Sequence, residues 1–208
     1  VVADDQIVEI AGLLCTSQER TAIDISATTG MADGVVITDH LLRSRGVDGG
    51  VLGAEDPLVI AWRLAQPLRG HRRAEEAIAF ADGRAASPLE SVSRVSMHRI
   101  GVPQPDLQTA FADGSGRIGF VDFAWPEYGV VGEADGDAKY LDARFRGGRT
   151  ADRVVLDEKV REDRLRALGL RVARWRWATA CNPGSLGAAL AAAGLPIDPS
   201  MRWDTAVG

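Results

Sequence analysis

The sequence predicts an α/β chain of the α+β kind. Its core is a helix–sheet sandwich in the order α-β-β-β-α-β from residue 87, behind a mainly helical N-terminal region. Three observations carry this. Ser87-Pro-Leu-Glu90 sets Ser at the N-cap, Pro at N1 and Glu at N3, a strong helix start. The runs Arg117–Trp125 and Tyr128–Glu133 are rich in β-branched and aromatic residues, and Pro126-Glu127 between them reads as a turn. Asp152–Leu168 reads as a charged helix closed by Gly169, with a strand over Leu170–Trp177 behind it.

Element by element, Thr16-Ser-Gln-Glu19 is read as a capping box opening a helix to about Ala27. A second helix is expected from Met31 to Arg45, stopped by Gly46, and a third from Pro57 to about Ala65. The Gly46–Gly53 loop lacks the Lys-Ser/Thr of a phosphate-binding loop. Arg69–Ala81 is a further helix, and Asp82-Gly83-Arg84 breaks it. The helix from Ser87 ends near Arg99, before Gly101 and Pro103. A strand at Leu107–Ala112 and a turn at Gly114-Ser-Gly116 complete the first hairpin, and a small Ala-rich helix spans Ser185–Ala193. The domain reading is a helical region over 1–84, an α-β-β-β-α-β module over 85–180, and a helix and tail over 181–208.

Composition narrows the function classes. With 46% hydrophobic and 25% charged residues the 208-residue chain is ordinary globular material. No run approaches a membrane span, and no basic segment precedes a hydrophobic one, so a cytoplasmic protein is expected. Cys15 and Cys181 read as free thiols, with no zinc spacing around them. His40, His71 and His98 are scattered, against a His-based triad. The first residues, Val-Val-Ala-Asp, contain no Met, which leaves room for an upstream domain.

Net charge is −5, yet Lys139–Arg176 holds 12 Lys/Arg against 6 Asp/Glu, so the remainder carries −11. That asymmetry hints at a polyanionic partner. The plainer explanation is a helix surface laced by i,i+4 pairs, and Asp157/Arg161, Lys159/Asp163 and Glu162/Arg166 fit it.

The hairpin places the candidate site. Folding about Glu127/Tyr128 sets Asp122 opposite Glu133, where like charges are destabilising. Two carboxylates on otherwise apolar strands ask for a cation, and a divalent metal, Mg²⁺ or Mn²⁺, would answer. Each residue also has a structural explanation. Asp122 would cap backbone groups near the turn, Glu133 would pair with an Arg, and Asp135-Gly136 is a turn dipeptide.

Taken together, Ser87-Pro-Leu-Glu90, Val121-Asp-Phe-Ala-Trp-Pro126, Val131-Gly-Glu-Ala-Asp-Gly136 with Lys139-Tyr140, and Glu158-Lys-x-Arg-Glu-Asp163 leading to Trp175 carry a resemblance. Residues 85–180 resemble the PD-(D/E)xK nuclease superfamily, and within it the branch of very-short-patch-repair endonucleases. Cys15-Thr-Ser-Gln-Glu-Arg-Thr-Ala22 is similar to a region preceding this module in actinobacterial proteins, which often carry an upstream winged-helix-like segment akin to abortive-infection antitoxins.

The resemblance implies a metal-dependent endonuclease acting on DNA in a defence, toxin–antitoxin or repair setting, with RNA as the other substrate left open and a homodimer compatible. It implies that Asp122 and Glu133 bind the metal, that the Ala134 carbonyl assists, and that Glu90 completes the shell. Asp135 stands where the family has a lysine, which favours the rival reading of a non-catalytic, antitoxin-like nucleic-acid-binding regulator. Lys139, or secondarily Lys159, is the substitute lysine. Arg144, Arg146, Arg149, Lys159 and Arg161 are the candidate nucleic-acid contacts.

Overall fold

A computed structural model describes residues 2, 4–48, 52–136 and 151–203, the side chains of 151, 152, 154 and 155 excepted. The chain divides into two compact units, Val1–Val95 and Ser96–Trp203. Helix α5 (Pro88–Ile100) begins in the first and ends in the second.

The first unit opens on a two-stranded antiparallel hairpin, β1 (Ile7–Ile10) and β2 (Leu13–Thr16), where the sequence reading expected mainly helix. Its turn is Ala11-Gly12, with φ of 52° and 80°. Both residues are left-handed, the geometry that suits the twist of a tight hairpin. Ala-Gly is a weaker turn signal than Asn-Gly, and Leu13 and Leu14 are exposed, so the strands lack the in-out alternation that identifies a half-buried sheet.

Among the described residues four helices follow: α1 (Gln18–Thr28), α2 (Met31–Ser44), α3 (Pro57–Leu64) and α4 (His71–Phe80). The N-cap of α1 is Ser17, which accepts from Arg20 N, rather than Thr16. Thr16 instead shares a 2.7 Å hydroxyl bond with Thr21. Asp56 caps α3 ahead of Pro57 and takes a two-pronged contact from Arg45. Ile23, Leu42, Leu58 and Ile78 form the core of the unit.

The first unit also holds a buried charge pair. Asp39 accepts from Arg94 at 2.8 Å, Ser91 at 2.7 Å and the Asp82 amide at 2.7 Å. Arg94 also donates to the Phe80 carbonyl and lies over its ring. Burial pushes the Asp39 carboxyl up to about 6 against the pull of Arg94, so the pair is ionised at neutral pH.

The second unit holds a four-stranded mixed sheet in the order β3-β4-β5-β6, formed by β3 (Asp106–Asp113), β4 (Gly116–Trp125), β5 (Val130–Ala134) and β6 (Arg171–Trp175). β3/β4 and β4/β5 are antiparallel, whereas β5/β6 is parallel because α6 (Ala151–Ala167) lies between those strands in sequence. Two short helices, α7 (Trp177–Ala180) and α8 (Pro183–Ala192), close the unit. Among the described residues the order α-β-β-β-α-β is therefore present, and the chain is mixed α and β.

Phe123 stacks on Trp125 and leans on Trp175, and both tryptophans are buried. Trp177 is 49% exposed. Gly132 sits against both buried rings. A Cβ there would come within 2.6 Å of Trp175 and 3.1 Å of Trp125. Gly132→Ala is therefore expected to destabilise the protein by about 1–3 kcal/mol through overpacking, read as a lowered midpoint in urea at unchanged slope.

Candidate metal centre

Register brings the two carboxylates together. Trp125 pairs with Val130, Ala124 with Val131 and Phe123 with Gly132. Carried one residue further, the same register sets Asp122 against Glu133. Alternation puts Asp122, Ala124, Val131 and Glu133 on one sheet face. Helix α6 covers that face, with Leu165 packed on Ala124 and Val131 and with Arg161 on Glu133. The turn between the strands is a short 3-10 stretch over Pro126–Tyr128 closed by left-handed Gly129.

Both carboxylates are buried, Asp122 at 9% exposure and Glu133 at 6%. Asp122 Oδ2 accepts from the Ala134 amide at 2.8 Å, and Oδ1 accepts a longer bond, 3.3 Å, from Gln108. The backbone-capping role open to Asp122 is thus real and reaches across the hairpin. Gln108 itself stands at φ 49°, left-handed in the middle of a strand. That conformation is uncommon for a non-glycine residue and accumulates where geometry serves a site. Nothing in the local sequence announces it.

The cation on Glu133 is Arg161, 2.6 Å from Oε1. The same guanidinium forks onto Glu158 at 2.9 and 3.0 Å and donates to the Phe120 carbonyl at 3.0 Å. Glu158 is held in turn by Arg174, which also reaches Asp135 at 3.2 Å and Glu162 at 2.9 Å. Asp135, at the position where the resemblance has a lysine, is therefore engaged with an arginine. Register explains Arg174: it pairs with Glu133 across the parallel β5/β6 ladder, on the same face.

Burial pushes the Glu133 carboxyl up to about 7; Arg161 pulls it down, and the nearby Asp122 charge pushes it up further. Burial also works against the Arg161 charge, but Glu158 and Glu133 more than offset it and hold the guanidinium charged. The folded pKa of Glu133 lies above the ordinary carboxylate value, so the folded state holds the extra proton between about pH 4.5 and 7. Its contribution to stability is present at the acid end and lost as pH rises through about 7. Glu133→Gln carries no such proton. Wild type should therefore lose stability relative to Glu133→Gln between pH 5 and 7, in parallel denaturant titrations.

The other candidate residues are placed as follows. Glu90 lies in the first unit, where its carboxylate accepts from the Ala86 amide at 2.8 Å and the Ser87 hydroxyl at 2.9 Å, a capping box. Lys159 is exposed on α6. Lys139, Arg144, Arg146 and Arg149 lie outside the described residues.

Much of the positive charge that the sequence gathers after Lys139 is neutralised internally. Arg153 pairs with Asp157, Arg164 with Asp113 and Arg166 with Glu162, besides Arg161 and Arg174. Of the three expected helical pairs, Glu162/Arg166 forms. Asp157 pairs with Arg153 instead of Arg161, and no Lys159–Asp163 bridge forms among the described residues.

Among the described residues, no group of three or more His, Cys, Asp or Glu gathers at metal-binding distance. A metal on this face would rest on the carboxylates of Asp122 and Glu133 with water filling the remaining positions. That donor set suits Mg²⁺, which retains several waters and takes one or two carboxylates. It does not suit zinc, which prefers His and Cys.

Comparison with known proteins adds relatives and no activity. The chain is 29% identical over 160 residues to the uncharacterized protein Rv2248 of Mycobacterium tuberculosis strain H37Rv and, to the same degree, to the uncharacterized protein MT2308 of strain CDC 1551. The match covers 77% of this chain and 54% of each relative, so the chain spans about half the length of the curated relatives it matches. No family model matches the chain, and no solved structure does. No helix among the described residues is long and apolar enough to cross a membrane.

Proposed function

We propose that residues 85–180 form a metal-dependent nuclease-like module of the PD-(D/E)xK kind, hydrolysing phosphodiester bonds in DNA. The observation that supports it best is the buried Asp122/Glu133 pair on one face of an α-β-β-β-α-β unit. Like charges set opposite each other on buried strands destabilise a fold, so their presence calls for a purpose.

In this reading Asp122 and Glu133 hold Mg²⁺ or Mn²⁺. The bound ion would supply an activated water and charge neutralisation at the phosphoryl oxygens. The Ala134 amide and Gln108 each donate to the Asp122 carboxylate, and Arg161 donates to Glu133. So held, the pair is oriented before any ion arrives. Because Glu133 is protonated below about pH 7, ion affinity should fall with acidification and binding at pH 6 should release a proton.

A second reading has its own support. Asp135 at the expected lysine position is engaged by Arg174, and Glu133 already has a cation in Arg161. Both features suit a module that binds nucleic acid without turnover, an antitoxin-like regulator. Incubation with supercoiled and linear duplex DNA, with Mg²⁺, Mn²⁺ or a chelator, separates the two. Metal-dependent cleavage supports the first, and chelator-resistant DNA binding without cleavage supports the second.

A further inference from the structure

We propose that the first unit carries its own nucleic-acid contact, a cleft that holds a backbone phosphate between Arg69, Arg72 and Arg73. The cleft has a volume of about 510 Å³. Ala27 and Thr28 line it from the end of α1, and Arg69, Gly70, Arg72 and Arg73 line it around the start of α4. Gly70 fixes the junction. At φ 84° it is left-handed, and a Cβ there would lie 2.1 Å from the Ala27 carbonyl oxygen. The first turn of α4 is thereby seated directly on α1.

Charge sets this cleft apart. Residues 1–95 hold nine Arg, no Lys and fourteen Asp or Glu, a balance of −5. An arginine in such a unit has carboxylates to choose from, and Arg20, Arg45, Arg84 and Arg94 each take one. Arg69, Arg72 and Arg73, all exposed, take none among the described residues. Helical spacing offers Glu75 and Glu76 to Arg72, yet neither bridge forms among the described residues. The carbonyls of Asp24 and Ile25 in the last turn of α1 already accept from the Thr28 and Thr29 hydroxyls.

The arginines also stand at the unfavourable end of their helix. The first turn of α4 holds no acidic residue, and Gly70 supplies no side-chain cap. Cations at a helix N-terminus oppose the helix dipole, so the arrangement costs stability until an anion arrives.

The lining selects the anion. Guanidinium forks match phosphate oxygens. Among the described residues the cleft presents no aromatic ring to stack a base and no carboxylate to read a sugar hydroxyl. A phosphate is therefore held without its base being read, the kind of contact that positions a nucleic acid and carries no sequence information. The partner, a nucleic-acid backbone in preference to free phosphate, rests on the nucleic-acid reading above and is independent of the metal.

The test is DNA binding by the full chain in a chelator, followed by fluorescence anisotropy on two duplexes of unrelated sequence, between about 50 and 200 mM salt. Each phosphate contact adds about 0.9 to the slope of log affinity against log salt. The triple variant Arg69→Gln/Arg72→Gln/Arg73→Gln should lower that slope by about 1 or more, equally on both duplexes. Arg72→Glu and Arg63→Glu change the net charge alike, and Arg63 is exposed on α3 outside the cleft. Arg72→Glu should weaken binding on the order of tenfold, while Arg63→Glu leaves it within about threefold. Glutamate suits a helix start, so Arg72→Glu should melt no lower than wild type and its lost binding is not misfolding.

An unchanged slope in the triple variant, or equal losses in Arg63→Glu and Arg72→Glu, would overturn the proposal. So would saturable binding of inorganic phosphate that the triple variant abolishes while its DNA affinity stays at the wild-type value, since the cleft would then serve a free phosphate. No DNA binding by wild type at low salt would remove the nucleic-acid reading itself and this assignment with it, a different result from DNA binding that ignores the cleft.

Discussion

Asp122→Asn is expected to lower Mg²⁺-dependent DNA cleavage by on the order of a thousandfold, since a bound ion supplies several kcal/mol of charge stabilisation and each 1.4 kcal/mol is about tenfold in rate. The substitution separates the observed backbone bond of the residue from its proposed part in metal binding. Its amide oxygen can still accept from the Ala134 N–H, so the strand-to-strand bond that Asp122 Oδ2 now makes at 2.8 Å survives. The charge does not. Stability should hold within about 1 kcal/mol while turnover collapses. Asp122→Ala removes both, leaving the Ala134 amide unpaired at a further cost of about 1–3 kcal/mol. A cleavage rate unchanged in Asp122→Asn would mean that the carboxylate serves the hairpin and nothing else.

The largest stability effect is expected in the first unit. Asp39→Ala should cost about 3–5 kcal/mol, because it strands the buried Arg94 charge and the Asp82 amide. Asp39 is 1% exposed and Arg94 5% exposed, so water cannot take over these bonds. The Phe80 carbonyl and ring hold Arg94 but do not neutralise it. Asp39→Asn should cost less, since its single amide oxygen can still accept from the Asp82 amide and its NH2 can donate to the Ser91 hydroxyl. Denaturant midpoints of the two variants measure the difference. Equal midpoints for wild type and Asp39→Ala would show that the pair is solvated or expendable.

These two sites differ in how visible they were beforehand. The Asp122/Glu133 opposition follows from local information, a two-residue period on each side of a proline turn, and the observed register carries it. The helix from Ser87 was legible for the same reason: its cap is written in four consecutive residues, and Glu90 serves that cap. Asp39, by contrast, draws its partners from residues 82, 91 and 94, separations of 43 to 55 positions. No periodicity encodes such a meeting.

Arg161 shows the same limit from the other side. Helical spacing pairs it with Asp157, which is the right rule for a solvated helix. The rule loses here because Arg161 reaches a buried carboxylate 28 positions away and Glu158 beside it. A buried charge gains more from a partner than an exposed one does. The first hairpin was missed because its strands expose Ile10, Leu13 and Leu14, so no buried face imprints a pattern. The left-handed Gln108 next to Asp122 is a tertiary imposition with no local signature.

The nuclease reading depends on Asp122 and Glu133 holding a divalent ion. Calorimetric titration of Mn²⁺ into wild type and into the Asp122→Ala/Glu133→Ala double variant, each checked for folding by circular dichroism, tests it most directly. Saturable binding is expected in wild type and none in the double variant. Equal binding by both, or no binding by wild type even with DNA present, would contradict it and leave the metal-independent DNA-binding regulator as the reading to pursue.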